Sequence, residues 1–209
     1  MYRRIRFKMA NPIFSQPIII GREERNLEYK QSTLWSREFA ARLTKTILSM
    51  SNIRDGGSII IGMKRQTNDS YLPKGMEPEH LDSYIADDVA RFVNEYADPY
   101  AHFTLTKEEC DDNRSYVWIQ VQEFEETPVI CRKSYANILG VGKLYVRTRR
   151  VPESSEVPSS AEMREILDMA TEKRIRAFVR QANRAGITLS TPTLNTDKQA
   201  FDDQISGVL

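Results

Sequence analysis

The first clear pattern along the chain is alternation. In Leu27-Glu28-Tyr29-Lys30, a period of two places Leu27 and Tyr29 on one face and Glu28 and Lys30 on the other, which predicts a short strand over 26–31. The period then changes. Phe39, Leu43 and Ile47 recur every four residues behind Ser36, a helix cap with Glu38 in the first turn; the helix should end near Asn52. Asp55-Gly56-Gly57 reads as a turn. Ile59-Ile60-Ile61, within 58–63, is apolar on both faces and predicts a central strand. Residues 64–75 read as a polar loop. Pro78 suits the first turn of a second helix, along which Leu81, Ile85, Val89, Phe92, Val93 and Tyr96 form one stripe, with Pro99 past its end.

Three strand-like segments follow, at 116–121, 127–133 and 143–149. In the first, Val117, Ile119 and Val121 share a face. Ser159 and Glu162 form a capping box for a last helix that stops near Arg184, before Gly186. The predicted organisation is an N-terminal arm (1–20), a core (21–158), a C-terminal helix (159–186) and a polar tail (187–209). Strand, helix, strand, helix, a run of strands and a helix predict an α+β fold, a mixed sheet with packed helices.

Composition narrows the partners little. The 209 residues suffice for one domain with a sizeable core, and a formal net charge of +1 leaves any nucleic-acid affinity to local clusters of Lys and Arg. Cys110 and Cys131 give neither a disulfide framework nor zinc spacing, so the expected compartment is reducing and cytoplasmic. No apolar run approaches the roughly 20 residues of a membrane span, and no membrane partner is expected. Asn11, Pro12, Ser15, Gln16 and Pro17 interrupt the apolar stretch that a secretory leader would need. Gly140-Val141-Gly142-Lys143 fails as a phosphate loop, because Asn137 and Leu144 stand where Gly and Ser or Thr are required; ATP hydrolysis by that mechanism is excluded.

The candidate chemistry is acidic and basic. Glu28 and Lys30 should project from one strand face about 6–7 Å apart. A carboxylate that ligates Mg²⁺ or Mn²⁺ beside an ammonium that stabilises phosphate charge is one way to cleave a phosphodiester. Glu23 supplies a second oxygen ligand if the chain bends back near Arg25-Asn26. The same pattern also fits a solvated ion pair worth about 0–1 kcal/mol. In 144–150, alternation buries Leu144 and Val146 and sends Tyr145, Arg147 and Arg149 to the opposite face. That row suits phosphates and a stacked base, or a solvated face paired with Glu153 or Glu156. Arg176, Arg180 and Arg184 share a stripe of the last helix, with Lys173 and Arg174 beside them; part of that pattern serves the helix dipole.

EERNLEYKQS, NIRDGGSIIIGMK and KLYVRTRRVPESSEVPSSAEM, in this order and spacing, resemble the Schlafen AlbA-type domain over about residues 21–170. The resemblance implies an α+β single lobe that binds nucleic acid, RNA ahead of DNA. Members of that family include metal-dependent endoribonucleases acting on transfer or ribosomal RNA, and DNA-binding modules of regulators or defence proteins. It implies Glu23 and Glu28 as Mg or Mn ligands with Lys30 beside them. The third family acid is replaced here by Lys64 and Arg65, and Asp69 or Asp55 are the candidates to substitute for it. Cations at that position favour phosphate over metal, so Lys64 and Arg65 join Tyr145, Arg147 and Arg149 as expected nucleic-acid contacts. A single lobe also implies a homodimer that rebuilds a two-lobed clamp. Three functions are therefore expected, in order: a nucleic-acid-binding protein; an Mg- or Mn-dependent endoribonuclease using Glu23, Glu28, Lys30 and Asp69; and an inactive interaction module of the same fold.

Overall fold

The computed structural model describes residues 22–110 and 113–187, together with the backbone of Arg4–Ile5 and Ile18–Ile19. Most of the expected arm, and the expected tail beyond Ile187, lie outside the described residues. The chain divides into two compact units, Met1–Ala170 and Thr171–Leu209. The elements are β1 (Arg4–Ile5), β2 (Ile18–Ile19), β3 (Leu27–Lys30), α1 (Arg37–Ser51), β4 (Gly57–Ile61), β5 (Met63–Arg65), β6 (Tyr71–Pro73), α2 (Pro78–Asp82), α3 (Ala86–Tyr96), β7 (Ala97–Asp98), β8 (Phe103–Glu109), β9 (Ser115–Val121), β10 (Ile130–Cys131), β11 (Tyr145–Arg147), β12 (Ser154–Glu156) and α4 (Ser160–Arg184). No helix among the described residues is long and apolar enough to cross a membrane.

The main sheet runs β3-β4-β9-β8, with β3 parallel to β4 and the other pairs antiparallel. This is the mixed sheet of an α+β fold. β4 is central, and Ile59, Ile60 and Ile61 are buried on both of its faces as their unbroken apolar run predicts. On one face, Ile59, Ile61, Val117 and Ile119 pack with Leu43, Ile47 and Leu48 of α1. On the other, Ile60 and Trp118 pack with Tyr29, Met63 and Tyr71.

The predicted cap on α1 is present: Phe39 N donates to Ser36 Oγ at 3.3 Å. Thr44, Ser49 and Ser51 send hydroxyls to the carbonyls four residues back, so the buried side of the helix carries polar groups at little cost. The helix ends at Asn52, which is buried. Its Nδ2 donates to Val129 O at 2.8 Å and to Tyr145 O at 2.9 Å, and its Oδ1 accepts from Val129 N at 2.8 Å. One amide thereby ties α1 to β11 and to the segment before β10.

Four expectations need correction. Residues 64–75 are not a simple polar loop, because β5 and β6 form a hairpin there. Gly62 (φ +115°) makes the turn out of β4, and a Cβ at that position would meet the Tyr116 ring and Gly75 backbone. The single helix expected from Pro78 to Tyr96 is two, α2 and α3. Ser83 Oγ donates to His80 O and accepts from Trp35 N, while the buried Tyr84 donates its hydroxyl to Thr33 O; these bonds stop α2 and leave Ile85 exposed. β8 is an unpredicted edge strand whose Phe103 and Leu105 are only half-buried. The segments 127–133 and 143–149 contract to Ile130–Cys131, paired with β7, and Tyr145–Arg147, paired with β12.

Candidate nucleic-acid interface

The site begins with a tight turn. Glu24 and Leu27 exchange backbone hydrogen bonds of 3.0 and 3.1 Å, which folds Glu23 back beside β3 as the bend at Arg25-Asn26 required. Glu23 Oε1 accepts from Tyr29 N at 3.1 Å, and the Tyr71 hydroxyl hydrogen-bonds the same carboxyl group. The rings of Tyr29 and Tyr71 lie 5.1 Å apart. Burial, with the charge of Glu28 added, raises the pKa of Glu23; the Tyr29 amide, Lys30 and the Tyr71 hydroxyl oppose that rise. Burial and the neighbouring Glu23 push Tyr71 up to about 12. Burial with Glu24 and Glu23 pushes Tyr29 up to about 12 as well.

Glu28 is not on a solvent face. Its side chain is 7% exposed, with Lys30 Nζ on Oε1 and Arg147 Nη1 2.5 Å from Oε2. The Arg147 contact is an ion pair lying off the axis of an ordinary hydrogen bond. Arg147 is 1% exposed, and it also donates from Nε to Arg25 O and from Nη2 to Glu24 O, each at 3.2 Å. Arg25 answers from its Nε to Arg147 O at 2.9 Å. All three residues of β11 are buried, with α1 packed on the strand and the Glu24–Arg25 turn set against Arg147, so its alternation does not separate core from solvent. This corrects the expected solvent-facing row of Tyr145, Arg147 and Arg149. Tyr145 is buried too, with Gly140 N donating to its hydroxyl at 2.8 Å and Lys45 Nζ 5.2 Å from its ring centre.

Arg149 alone of that row reaches solvent, its side chain 67% exposed, and it pairs with Glu165 at 3.1 Å. Glu165 also receives a two-pronged contact from Arg25, 2.8 Å on each oxygen. The Arg25 hydrogen bonds hold the Glu165 carboxyl below its ordinary pKa, against the opposing effect of burial and with help from Arg149. At the other end, the hairpin register sets Arg65 opposite Tyr71 and Lys64 opposite Leu72. Alternation then parts the two cations onto opposite hairpin faces. Arg65 is on the Tyr71 side, within electrostatic reach of Glu23, and its Nη2 meets Asp69 at 2.7 Å. Ion pairs and hydrogen bonds thus run from Arg149 through Glu165, Arg25, Arg147 and Glu28 to Lys30, and Glu23, bonded to Tyr71, lies within electrostatic reach of Lys30 and Arg65.

The donor set does not suit a divalent cation. A hard ion needs several carboxylate oxygens converging on it. Both oxygens of Glu28 are already neutralised by Lys30 and Arg147, and Asp69 is engaged by Arg65. Among the described residues no three His, Cys, Asp or Glu side chains form a group that could hold a metal ion, so Asp69 does not complete a site with Glu23 and Glu28. Asp55 lies in the turn after α1, where its backbone N donates to Glu123 Oε2 at 2.7 Å.

Sequence reading missed Arg25, Glu165, Tyr71 and Asn52. Arg25 stands between the two glutamates and carried a usable signal, a cation amid acids. Nothing local to Glu165 or Tyr71 marks either one, since their partners lie far away in sequence.

An acid-and-cation cluster on the first strand of a mixed α+β sheet defines the class of lobe. The chain belongs to the Schlafen, AlbA_2 family, whose model matches residues 23–155. No curated protein matches the chain. Among solved structures, the DIP2311 protein of Corynebacterium diphtheriae is similar at TM-score 0.45 and 12% identity, over 68% of this chain and 23% of that one. The N-terminal domain of an ATP-dependent DNA helicase RecG-related protein from Nitrosomonas europaea is similar at TM-score 0.40 and 16% identity, over 66% of this chain and 85% of that one. The chain therefore spans under a quarter of the first of these structures. Likenesses at these levels carry no functional argument.

Proposed function

We propose that the protein is a nucleic-acid-binding lobe, taking RNA in preference to DNA, that binds phosphates without using a divalent metal. The observation that supports this most is the internal neutralisation of Glu28 by Arg147 and Lys30. With its charge satisfied inside the protein, Glu28 organises the site, and the exposed guanidiniums of Arg65 and Arg149 face solvent at its two ends. Each would contact a phosphate, with Lys30 between them and Lys64 reaching from the far face of the hairpin. Arg147 and Tyr145, expected as contacts, instead hold β11 in place. The preference for RNA rests on the family resemblance alone.

The test is fluorescence anisotropy with labelled transfer RNA, single-stranded RNA and duplex DNA, in chelator and in Mn²⁺. Salt-dependent binding in chelator, tightest for RNA, supports the reading. Cleavage that needs Mn²⁺ and disappears in Glu28→Ala supports a metal-dependent endoribonuclease instead. No salt-dependent binding to any of the three leaves an interaction module. A two-fold pair of copies would supply the second lobe of a clamp; light scattering that reads a monomer mass removes that part. Cys110 and Cys131 are buried thiols outside any disulfide, which suits a reducing compartment such as the cytoplasm.

A further inference from the structure

Arg176, Arg180 and Arg184 follow at intervals of four on the portion of α4 within the second unit, and all three are exposed. Four helical residues advance about 6 Å and return to nearly the same azimuth, so the guanidinium groups start from one row, with Lys173 on the same side. Ile175 and Phe178, 58% and 59% exposed, lie on the opposite side of the helix.

Glu172 pairs with Arg176. Arg180 has only Arg176, Ala177, Asn183 and Arg184 at the spacings where a helical partner could sit, and Arg184, the last helical residue, has Arg180 and Gln181 before it and Ile187 and Thr188 after it. Like charges at this spacing repel, and only Arg184, in the last turn, is placed to gain much from the helix dipole. A polyanion with regularly repeating charge relieves such a row. The cations in this stretch are Arg174, Arg176, Arg180 and Arg184, with Lys173 the single lysine. A planar guanidinium fork matches phosphate oxygens in pairs, which an ammonium does not.

We propose that Arg176, Arg180 and Arg184 form a second nucleic-acid contact that follows the phosphate backbone. The proposal rests on the reading that the first unit binds nucleic acid, and adds a surface that the acidic strand and the hairpin do not supply.

The test uses the full chain, labelled transfer RNA, and vesicles rich in phosphatidylserine, comparing R176Q/R180Q/R184Q with the corresponding triple lysine variant. Far-UV circular dichroism checks that the helix is kept. The glutamine variant should flatten the slope of log affinity against log salt by about 2 to 3, since each lost phosphate contact removes roughly 0.7–0.9, while the lysine variant keeps most of the slope. An unchanged slope in the glutamine variant, with binding weakened by Arg65→Ala, overturns the proposal and spares the site in the first unit. A flattened slope with no effect of Arg65→Ala keeps the arginine row and removes that site. No binding of the wild type to RNA overturns the proposal, and sedimentation with the vesicles that is lost in the glutamine variant then assigns the row to an anionic membrane surface.

Discussion

Arg147 and Glu28 form a buried ion pair, Nη1 to Oε2 at 2.5 Å, with side chains 1% and 7% exposed. Removing Arg147 leaves the buried Glu28 with Lys30 as its one remaining counter-charge, and removing Glu28 leaves a buried guanidinium without its carboxylate; either loss is costly at such depth. Arg147→Ala should therefore lower stability by about 3–5 kcal/mol. In a Glu28→Gln background the same change should cost less, and the difference measures their coupling. Urea denaturation of the four proteins in the cycle reads it. Additive losses would mean the two residues do not act as a pair.

Asn52 makes a comparable prediction for the scaffold. Asn52→Ala removes one buried amide that serves Val129 and Tyr145 together, and leaves their backbone groups without it. A loss of roughly 2–3 kcal/mol is expected in the same denaturation experiment. A change near zero would show that β11 is held in place by its packing on α1 alone.

Glu23 ties stability to pH. Its folded pKa lies above the ordinary 4.5, so the folded state holds the proton more tightly than the unfolded state. Its contribution is full below about 4.5 and is lost as pH rises through the folded value. Glu23→Gln should melt higher than wild type at neutral pH, and the gap should close on acidification. Melting curves across that range decide it; a gap that widens toward acid would contradict the assigned shift.

Arg65 and Arg149 should behave in the opposite way to Arg147. Arg65 makes only a surface pair, and the part-buried Glu165 keeps its two-pronged contact with Arg25 when the exposed Arg149 is lost, so replacing either arginine with Ala should change stability by about 0–1 kcal/mol. Each replacement should nonetheless weaken RNA binding and flatten the salt slope by about 0.7–0.9. Thermal melts and anisotropy on the same samples separate the two effects.

The fold was legible wherever one period ruled a segment. Ile59-Ile60-Ile61 announced a central strand, and Ser36 with Phe39 and Leu43 announced α1, because local spacing alone carried the signal. The helix read through Ile85 and the row read through Tyr145, Arg147 and Arg149 failed for a shared reason. Periodicity reports where side chains point, while tertiary partners decide which of those directions is solvent. Ser83 and Tyr84 end α2 through bonds to residues about 50 positions away, and α1 with the Glu24–Arg25 turn buries β11. At the site, Glu23, Glu28 and Lys30 were found as a cluster, whereas Arg147, 119 residues beyond Glu28, was recognised as important and given the wrong environment.

The most direct measurement is the salt dependence of transfer-RNA binding in excess chelator, for wild type and Arg65→Ala. Chelator-insensitive wild-type binding, with a flatter slope in the variant, is the predicted result. Binding that collapses on metal removal and is indifferent to Arg65 would contradict it.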